Sequence, residues 1–139
     1  MAATIEYYVE SGTIEGLIVC DTSGSLVGKE GYLVAIHTTA TSDRRPTVVI
    51  CDASKHPMFV VEEVLSTTMA VCRPLDPNRS VRIICAAAGV TAGDYVASDA
   101  AGLIVTAAGD GTYVVGIAEN DGASGQYVSV RPQCGQLHA

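Results

Sequence analysis

Short apolar runs rich in Val and Ile follow one another along the chain, separated by clusters of Gly, Asp, Ser and Pro. Clusters such as Asp21-Thr22-Ser23-Gly24 and Gly109-Asp110-Gly111 are typical of turns that bound strands. Many short strands at close intervals indicate an all-β sandwich or barrel with little helix. The predicted strands span residues 5–9, 16–20, 32–36, 47–51, 58–61, 69–72, 81–85, 95–97, 103–106, 113–118 and 127–130.

One stretch, residues 57–65, also suits a helix. Pro57 is favourable at a first helical position, and Met58, Val61 and Leu65 would share one helix face. The β-branched residues of the same stretch favour extended structure instead. We therefore predict a strand followed by a turn.

A glycine shortly before a strand that carries Tyr at its start is a recurring local pattern. It occurs at Gly31-Tyr32-Leu33-Val34, Gly93-Asp94-Tyr95-Val96, Gly111-Thr112-Tyr113-Val114 and Gly125-Gln126-Tyr127-Val128. Glycine is the residue that adopts positive φ without steric cost. The pattern therefore predicts four turns with positive φ, each leading into a strand.

Two parts of the chain carry similar sequences. Val60-Val61-Glu62 precedes Arg73-Pro74, and Ile117-Ala118-Glu119 precedes Arg131-Pro132 at nearly the same distance. The similarity continues upstream and predicts two tandem β units, related by duplication, although chance matching of Val-rich strands is an alternative. A unit of ~45 residues can scarcely bury a core alone, so the two units should pack together.

The repeat divides the chain into four parts. Residues 1–25 would be an N-terminal arm or added strands, and residues 26–74 the first β unit. Residues 75–87 would form a connection, and residues 88–139 the second β unit, whose repeated part ends at 132, with a C-terminal tail.

Composition and charge narrow the class of protein. Apolar residues make up 48% of the 139 residues and charged residues 17%, which excludes intrinsic disorder. The net charge of −7 gives no electrostatic reason to bind nucleic acid. The basic groups Arg44-Arg45 and Arg73, Arg79, Arg82 are either local patches or solvated turns. Neither an apolar run of membrane-spanning length nor a signal peptide is expected.

The five cysteines are odd in number and widely spaced: Cys20, Cys51, Cys72, Cys85 and Cys134. Most lie at or near the ends of apolar runs. Buried, reduced thiols that pack as small hydrophobic groups explain this placement, and they indicate a reducing cytosol during folding.

The strongest catalytic candidate is Cys51 with Asp52 and His56. A nucleophilic thiolate needs a base in hydrogen-bond reach and a group that orients the base. Adjacent strand residues point to opposite faces, so Asp52 would point away from Cys51, and we expect no catalytic site. Spacings typical of metal ligands are also absent among the His and Cys residues, so neither a metal nor another cofactor is expected.

The second repeat has an ordered set of elements that resembles a known family. A Gly-Asp turn at Gly93-Asp94, a short hairpin, Val115-Gly116-Ile117-Ala118-Glu119 and a terminal Tyr127-Val128-Ser129-Val130 follow one another. This order resembles the capsid cement and head-decoration proteins of tailed bacteriophages. The resemblance covers residues 93–132, with a weaker echo over 26–74.

The resemblance implies a non-enzymatic, β-rich structural protein that binds the outside of a mature head and bridges major capsid protein subunits. It further implies a homotrimer located at the capsid surface of the virion, after synthesis in the host cytoplasm. The alternative is a β-sandwich module that binds glycans or another ligand.

The segment before the repeats is a candidate partner-binding arm. Its strand-like residues are Ile5, Glu6, Tyr7, Tyr8 and Val9. A strand with unpaired amides readily pairs with another chain. The alternative is that this strand completes a sheet of its own chain.

Overall fold

The computed structural model describes residues 16–39 and 45–136, apart from the side chain of Cys134. These residues form ten strands and no helix, so the all-β prediction is confirmed. The strands are β1 (Ile18–Thr22), β2 (Leu33–Ile36), β3 (Thr47–Ile50), β4 (Phe59–Val64), β5 (Met69–Pro74), β6 (Val81–Ile84), β7 (Tyr95–Ser98), β8 (Ile104–Thr106), β9 (Tyr113–Ala118) and β10 (Tyr127–Gln136). The strand predicted within residues 57–65 is confirmed as β4.

The first β unit is a closed barrel with the strand order β1-β3-β2-β4-β5. Strand β1 closes it, because β1 pairs antiparallel with β5 and parallel with β3. The parallel pairing includes Thr22 opposite Val48. Closure leaves each of these strands with two neighbours, which satisfies backbone groups that an open sheet would expose at its edges.

The second β unit repeats this arrangement. Its sheet order is β6-β10-β9-β7-β8, and a parallel bridge between Cys85 and Ile104 joins the end of β6 to β8. Starting at β6 and crossing this bridge, the strand order is β6-β8-β7-β9-β10. It corresponds strand for strand to β1-β3-β2-β4-β5 of the first unit. The bridge also occupies the register of the Thr22–Val48 pair, so the two units share their strand order, and one bridge in the second stands where β1–β3 pairing closes the first.

The repeated Glu and Arg residues form equivalent ion pairs. Glu62 accepts a hydrogen bond from Arg73 Nε at 2.9 Å, and Glu119 accepts one from Arg131 Nη2 at 3.4 Å. In the strand registers, Val60 lies opposite Arg73 just as Ile117 lies opposite Arg131. The sequence similarity therefore reflects equivalent positions in two β units.

Strands β1 and β6 lie outside the two ranges that the repeat assigned to the units. Strand β1 falls within residues 1–25 as an added strand, and β6 falls within the connection 75–87. Both are integral to their sheets, since β1 pairs with β5 and β6 with β10. The sequence repeat did not assign β1 and β6 to the β units, because these two strands share few residue identities and their pairing partners are distant in sequence.

The glycines of the recurring pattern adopt the predicted conformation. Gly31, Gly93, Gly111 and Gly125 have φ values of 85°, 93°, 81° and 77°. In each case a strand begins two residues later, at Leu33, Tyr95, Tyr113 and Tyr127.

Within the part of the chain that the structure describes, two hydrophobic clusters form the core. The first lies inside the first barrel and includes Leu26, Val34 and Phe59. The second fills the second unit and continues into residues of the first unit, including Leu33 and Val60. Burial of these apolar side chains stabilises each unit and the junction between them.

Candidate functional site

The interunit seam is the junction formed by Gly31, Leu33, Val60, Ile84 and Gly102. Leu33 and Val60 are buried in the shared cluster. The Leu33 N–H donates to the Gly102 carbonyl at 2.8 Å, and the Ile84 N–H donates to the Gly31 carbonyl at 3.0 Å. Backbone bonds and apolar packing together fix the position of one unit on the other.

Glycine permits close approach across this seam. A Cβ atom at Gly31 would lie 2.7 Å from Tyr127 Cε1, and one at Gly102 would lie 2.8 Å from the Leu33 carbonyl oxygen. Both separations are shorter than van der Waals contact. Side chains other than hydrogen at these two positions would therefore force the units apart.

The seam was not identified from the sequence, although a signal was present. Leu33, Val34 and Ala35 are buried in succession, as are Phe59, Val60 and Val61. A strand with one solvated face shows alternation, whereas a strand buried on both faces is continuously apolar. The unbroken apolar runs of β2 and β4 thus mark a second packed surface.

The Cys51, Asp52 and His56 side chains make their hydrogen bonds and ring contacts with different groups. Cys51 is fully buried, and its thiol donates to the carbonyls of Asp52 and Lys55 at 3.4 and 3.5 Å. The His56 ring lies against Tyr113 of the second unit, with ring centroids 5.1 Å apart, and Nδ1 lies 3.2 Å from the Pro57 carbonyl. The His56 ring thus contacts the second unit, and Cys51 belongs to the hydrophobic cluster shared by the two units.

Asp52 organises the turn after β3. One carboxylate oxygen accepts bonds from the Ser54 N–H at 2.8 Å and its hydroxyl at 2.6 Å, while the other pairs with Lys55 Nζ. The Lys55 contact, followed by the Ser54 bonds, lowers the pKa of Asp52 to about 2. Asp52 is therefore a structural carboxylate and not a proton carrier near neutral pH.

The cysteines with described side chains are free and buried, as expected: Cys20, Cys51, Cys72 and Cys85. Burial raises the pKa values of Cys51 and Cys85. A contact with Cys20, together with burial, raises that of Cys72. High thiol pKa values disfavour the thiolate, which is the reactive form.

A basic cleft of about 540 Å³ lies where β4 and β5 face β6 and the start of β10. Its lining includes Arg73, Arg79, Arg82, Glu62 and Tyr127. The sequence grouped the three arginines, but it did not associate them with Glu62 or Tyr127. The Glu-to-Arg spacing shared by both repeats was the signal for the Glu62 contact.

A second groove of about 610 Å³ lies on the first unit. Ile36 and Met58 line it and are 40% and 41% exposed, and His37 and His56 lie beside them. Partly exposed apolar side chains of this kind are common on protein surfaces.

Several predicted positions lie outside the described residues. They are Ile5, Glu6, Tyr7, Tyr8 and Val9 of the candidate arm, together with Arg44 and His138. Within residues 16–39 and 45–136, no group of three or more His, Cys, Asp or Glu residues has a metal-binding arrangement. The same part of the chain has no helix long and apolar enough to cross a membrane.

No protein-family model matches this chain, and no curated protein sequence matches it. A solved structure does: the crystal structure of the head fiber gp8.5 N base in bacteriophage phi29. The two proteins share a fold. The TM-score is 0.66, and the match covers 88% of this chain and 98% of the phage chain, at 16% sequence identity. Nearly the whole of the phi29 base thus has a counterpart here.

Proposed function

We propose that this chain is a structural protein of a phage head, which binds the outer head surface and cements major capsid protein subunits. The observation that carries the proposal is the fold match over 98% of a protein described as a head fiber base. Because one fold can serve many functions, this match alone does not define a role. The motif resemblance within residues 93–132 gives separate support for the same class of virion protein.

The architecture suits a load-bearing role. The first barrel is closed, the second sheet is joined by the Cys85–Ile104 bridge, and backbone hydrogen bonds cross the seam. Such a body presents its surfaces in a fixed relationship, so little ordering entropy is lost when several contacts form together.

We also propose that the chain has no catalytic role. The geometry of the strongest candidates supports this, because Cys51 donates to local carbonyls while His56 packs on Tyr113. Loss of function on replacing either residue would therefore have to come from altered packing.

The proposed assembly is a homotrimer. A closed cyclic trimer matches a local threefold position of a capsid lattice, so three weak contacts act together. Linking contacts in this way can raise avidity by ~10²–10⁴ over a single protomer. It also gives a reason for late binding, because the composite site exists only when neighbouring capsid subunits take their mature spacing.

Particle binding tests the proposal directly. Particles purified from a lysate that contains the chain should carry it at a fixed copy number, divisible by three at each occupied position. Adding the chain to particles that lack it should raise the temperature at which heads release DNA. Binding without this rise would support a head-surface protein but contradict cementing, and failure to bind particles would contradict the head function altogether.

Light scattering of the free protein tests the trimer separately. A monomer in solution that also occupies single positions away from threefold sites would contradict trimerisation while leaving head binding intact.

A glycan-binding module is the competing function, favoured by Tyr95 and Tyr127, which are 48% and 44% exposed. Glycan-array binding by a protein that ignores heads would establish that alternative.

A further inference from the structure

The basic cleft contrasts with the charge of the whole chain. The protein carries a net charge of −7, whereas the described residues that line the cleft include Arg73, Arg79 and Arg82 together with the carboxylate of Glu62. A concave surface of opposite sign to its surroundings concentrates the local field. The three arginines of this cleft therefore favour anionic groups, although the net charge of the whole chain is negative.

Arg82 and Tyr127 contact each other on one wall of the cleft. Arg82 points outward from β6 because its neighbours Val81 and Ile83 are buried. Its Cζ lies 5.1 Å from the centroid of the Tyr127 ring, which is a cation–π contact. Tyr127 in turn packs against Gly31, so the ring has a fixed support.

A turn and a neighbouring glycine position Arg79. It follows Asp76-Pro77-Asn78, a turn in which the Arg79 N–H donates to the Asp76 carbonyl at 3.0 Å and the Asn78 N–H donates to the Asp76 carboxylate at 2.9 Å. Its guanidinium lies beside Gly16, where a Cβ atom would be 2.9 Å from Nη1. The turn and the glycine together position Arg79 at the cleft.

The remaining arginine is oriented by an ion pair. Arg73 Nε donates to Glu62 at 2.9 Å, which fixes the side chain on one side of the cleft. Arginine presents several N–H groups in one plane, and this geometry matches a carboxylate with two parallel hydrogen bonds. Three oriented guanidinium groups can bind carboxylates, and the aromatic face of Tyr127 can contact a peptide backbone. Together they match a short peptide that carries several carboxylates.

We propose that the basic cleft binds an acidic peptide segment of a protein partner, with Asp or Glu carboxylates on Arg79 and Arg82 and the peptide chain against Tyr127. A volume of about 540 Å³ accommodates a short segment. A long polyanion would extend beyond the cleft onto a chain whose net charge is −7, which disfavours nucleic acid. The inference rests on the proposed function only in assigning the segment to a head protein.

Fluorescence anisotropy with a labelled hexaglutamate peptide tests the cleft on the full chain. We expect saturable binding that weakens as salt is added. The double variant Arg79→Gln/Arg82→Gln should lose at least ~10-fold in affinity, because both charged donors are removed. Both side chains are exposed, so the variant should fold, and urea denaturation checks this.

The matched control is Arg45→Gln/Arg131→Gln. It makes the same change in net charge, but these arginines pair with Asp21 and Glu119 and do not line the cleft. Its affinity for the peptide should stay within ~2-fold of the unmodified chain, apart from the small long-range effect of net charge. An equal loss in both double variants would overturn the inference, as would absence of peptide binding. Tighter binding of a six-nucleotide oligothymidylate than of the peptide would overturn it in favour of nucleic acid.

Particle binding separates this inference from the proposed function. If the chain binds heads and the Arg79→Gln/Arg82→Gln variant binds them equally well, the cleft is not the head contact, and the assignment of the acidic segment to a head protein is overturned while the proposed function stands. If the unmodified chain does not bind heads, the proposed function fails, and the peptide titration still decides whether the cleft takes an acidic segment.

Discussion

The backbone N–H of Leu33 donates to the carbonyl of Gly102 at 2.8 Å, and this bond joins β2 of the first unit to the turn before β8 of the second. Gly102 has a φ of 84°, and the space where its Cβ would be is occupied by the Leu33 carbonyl oxygen. The bond therefore depends on glycine twice, once for the backbone conformation and once for the close approach of the two backbone segments.

Replacing Gly102 by Ala should destabilise the protein more than the backbone conformation alone explains. We expect a loss of about 1–2 kcal/mol from positive φ, and about 1–3 kcal/mol more from the contact with the Leu33 carbonyl. Gly93→Ala is the matched control, because Gly93 has a φ of 93° and nothing within 4 Å of the added Cβ. Urea denaturation measures both variants, and equal losses would contradict the role of Gly102 in the seam.

Local patterns in the sequence were sufficient for the strands. Val and Ile runs bounded by turn residues predicted every described strand, because extended structure depends on neighbouring residues and on turn chemistry. The positive φ of Gly31 and Gly93 followed for the same reason. The two tandem β units were also predictable, since Glu62–Arg73 and Glu119–Arg131 preserve the residue types and nearly the same spacing.

Contacts between distant parts of the chain were not predictable in the same way. Whether β6 is a connection or a strand of the second unit depends on its pairing with β10, and short apolar strands rarely encode their partners. The cleft required Arg82 to meet Tyr127, which lies on another strand. Only the fold brings these residues together, so the sequence left the arginines as either a patch or solvated turns.

The Cys51 and His56 side chains should be dispensable for head binding. Cys51→Ser should cost about 1–2 kcal/mol, because a hydroxyl is harder to bury than a thiol. His56→Ala should cost about 0.5–1.5 kcal/mol through the lost ring contact with Tyr113. Urea denaturation gives the stability of each variant and co-sedimentation with heads gives its function. A variant that is fully folded but no longer binds heads would contradict a packing role.

The buried thiols should react slowly in the native protein. Burial raises the pKa values of Cys51 and Cys85, so at about pH 8 each remains mainly a protonated, inaccessible thiol. We expect iodoacetamide to alkylate them at least ~10²-fold more slowly than in the same protein unfolded in guanidinium chloride. Peptide mass spectrometry assigns each site, and rapid labelling of Cys51 in the folded protein would contradict the buried position.

Asp52 should contribute stability that is lost in acid. Its pKa is lowered from 3.8 to about 2 in the folded protein, so folding favours the carboxylate form. The contribution is present above the higher value and disappears as the pH falls through the lower one. Because the side chain is one-third exposed, we expect no more than about 1 kcal/mol. Asp52→Asn should remove this acid-dependent loss, as measured by denaturation from about pH 7 to 2.

The variant Lys55→Met provides the control for the Asp52 titration. Its Nζ contact is the largest cause of the lowered Asp52 pKa, so Lys55→Met should raise that pKa toward the ordinary range. Carboxyl chemical shifts followed by NMR report the pKa directly. An Asp52 pKa unchanged by Lys55→Met would show that the Ser54 hydrogen bonds alone hold the carboxylate.

Deleting residues 1–10 should separate folding from head binding. The first barrel closes through β1 and β5, and β1 begins only at Ile18, so closure of this barrel does not require a strand from residues 1–10. A strand-like sequence outside the repeats can supply a strand to another chain. We therefore expect the shortened protein to keep its urea midpoint and to lose affinity for heads.

Substituting only Tyr7 and Tyr8 by Ser provides a milder variant of the same length as the full chain, and it should weaken head binding in the same direction. Loss of folding on deletion would instead indicate that Ile5, Glu6, Tyr7, Tyr8 and Val9 complete a sheet of their own chain.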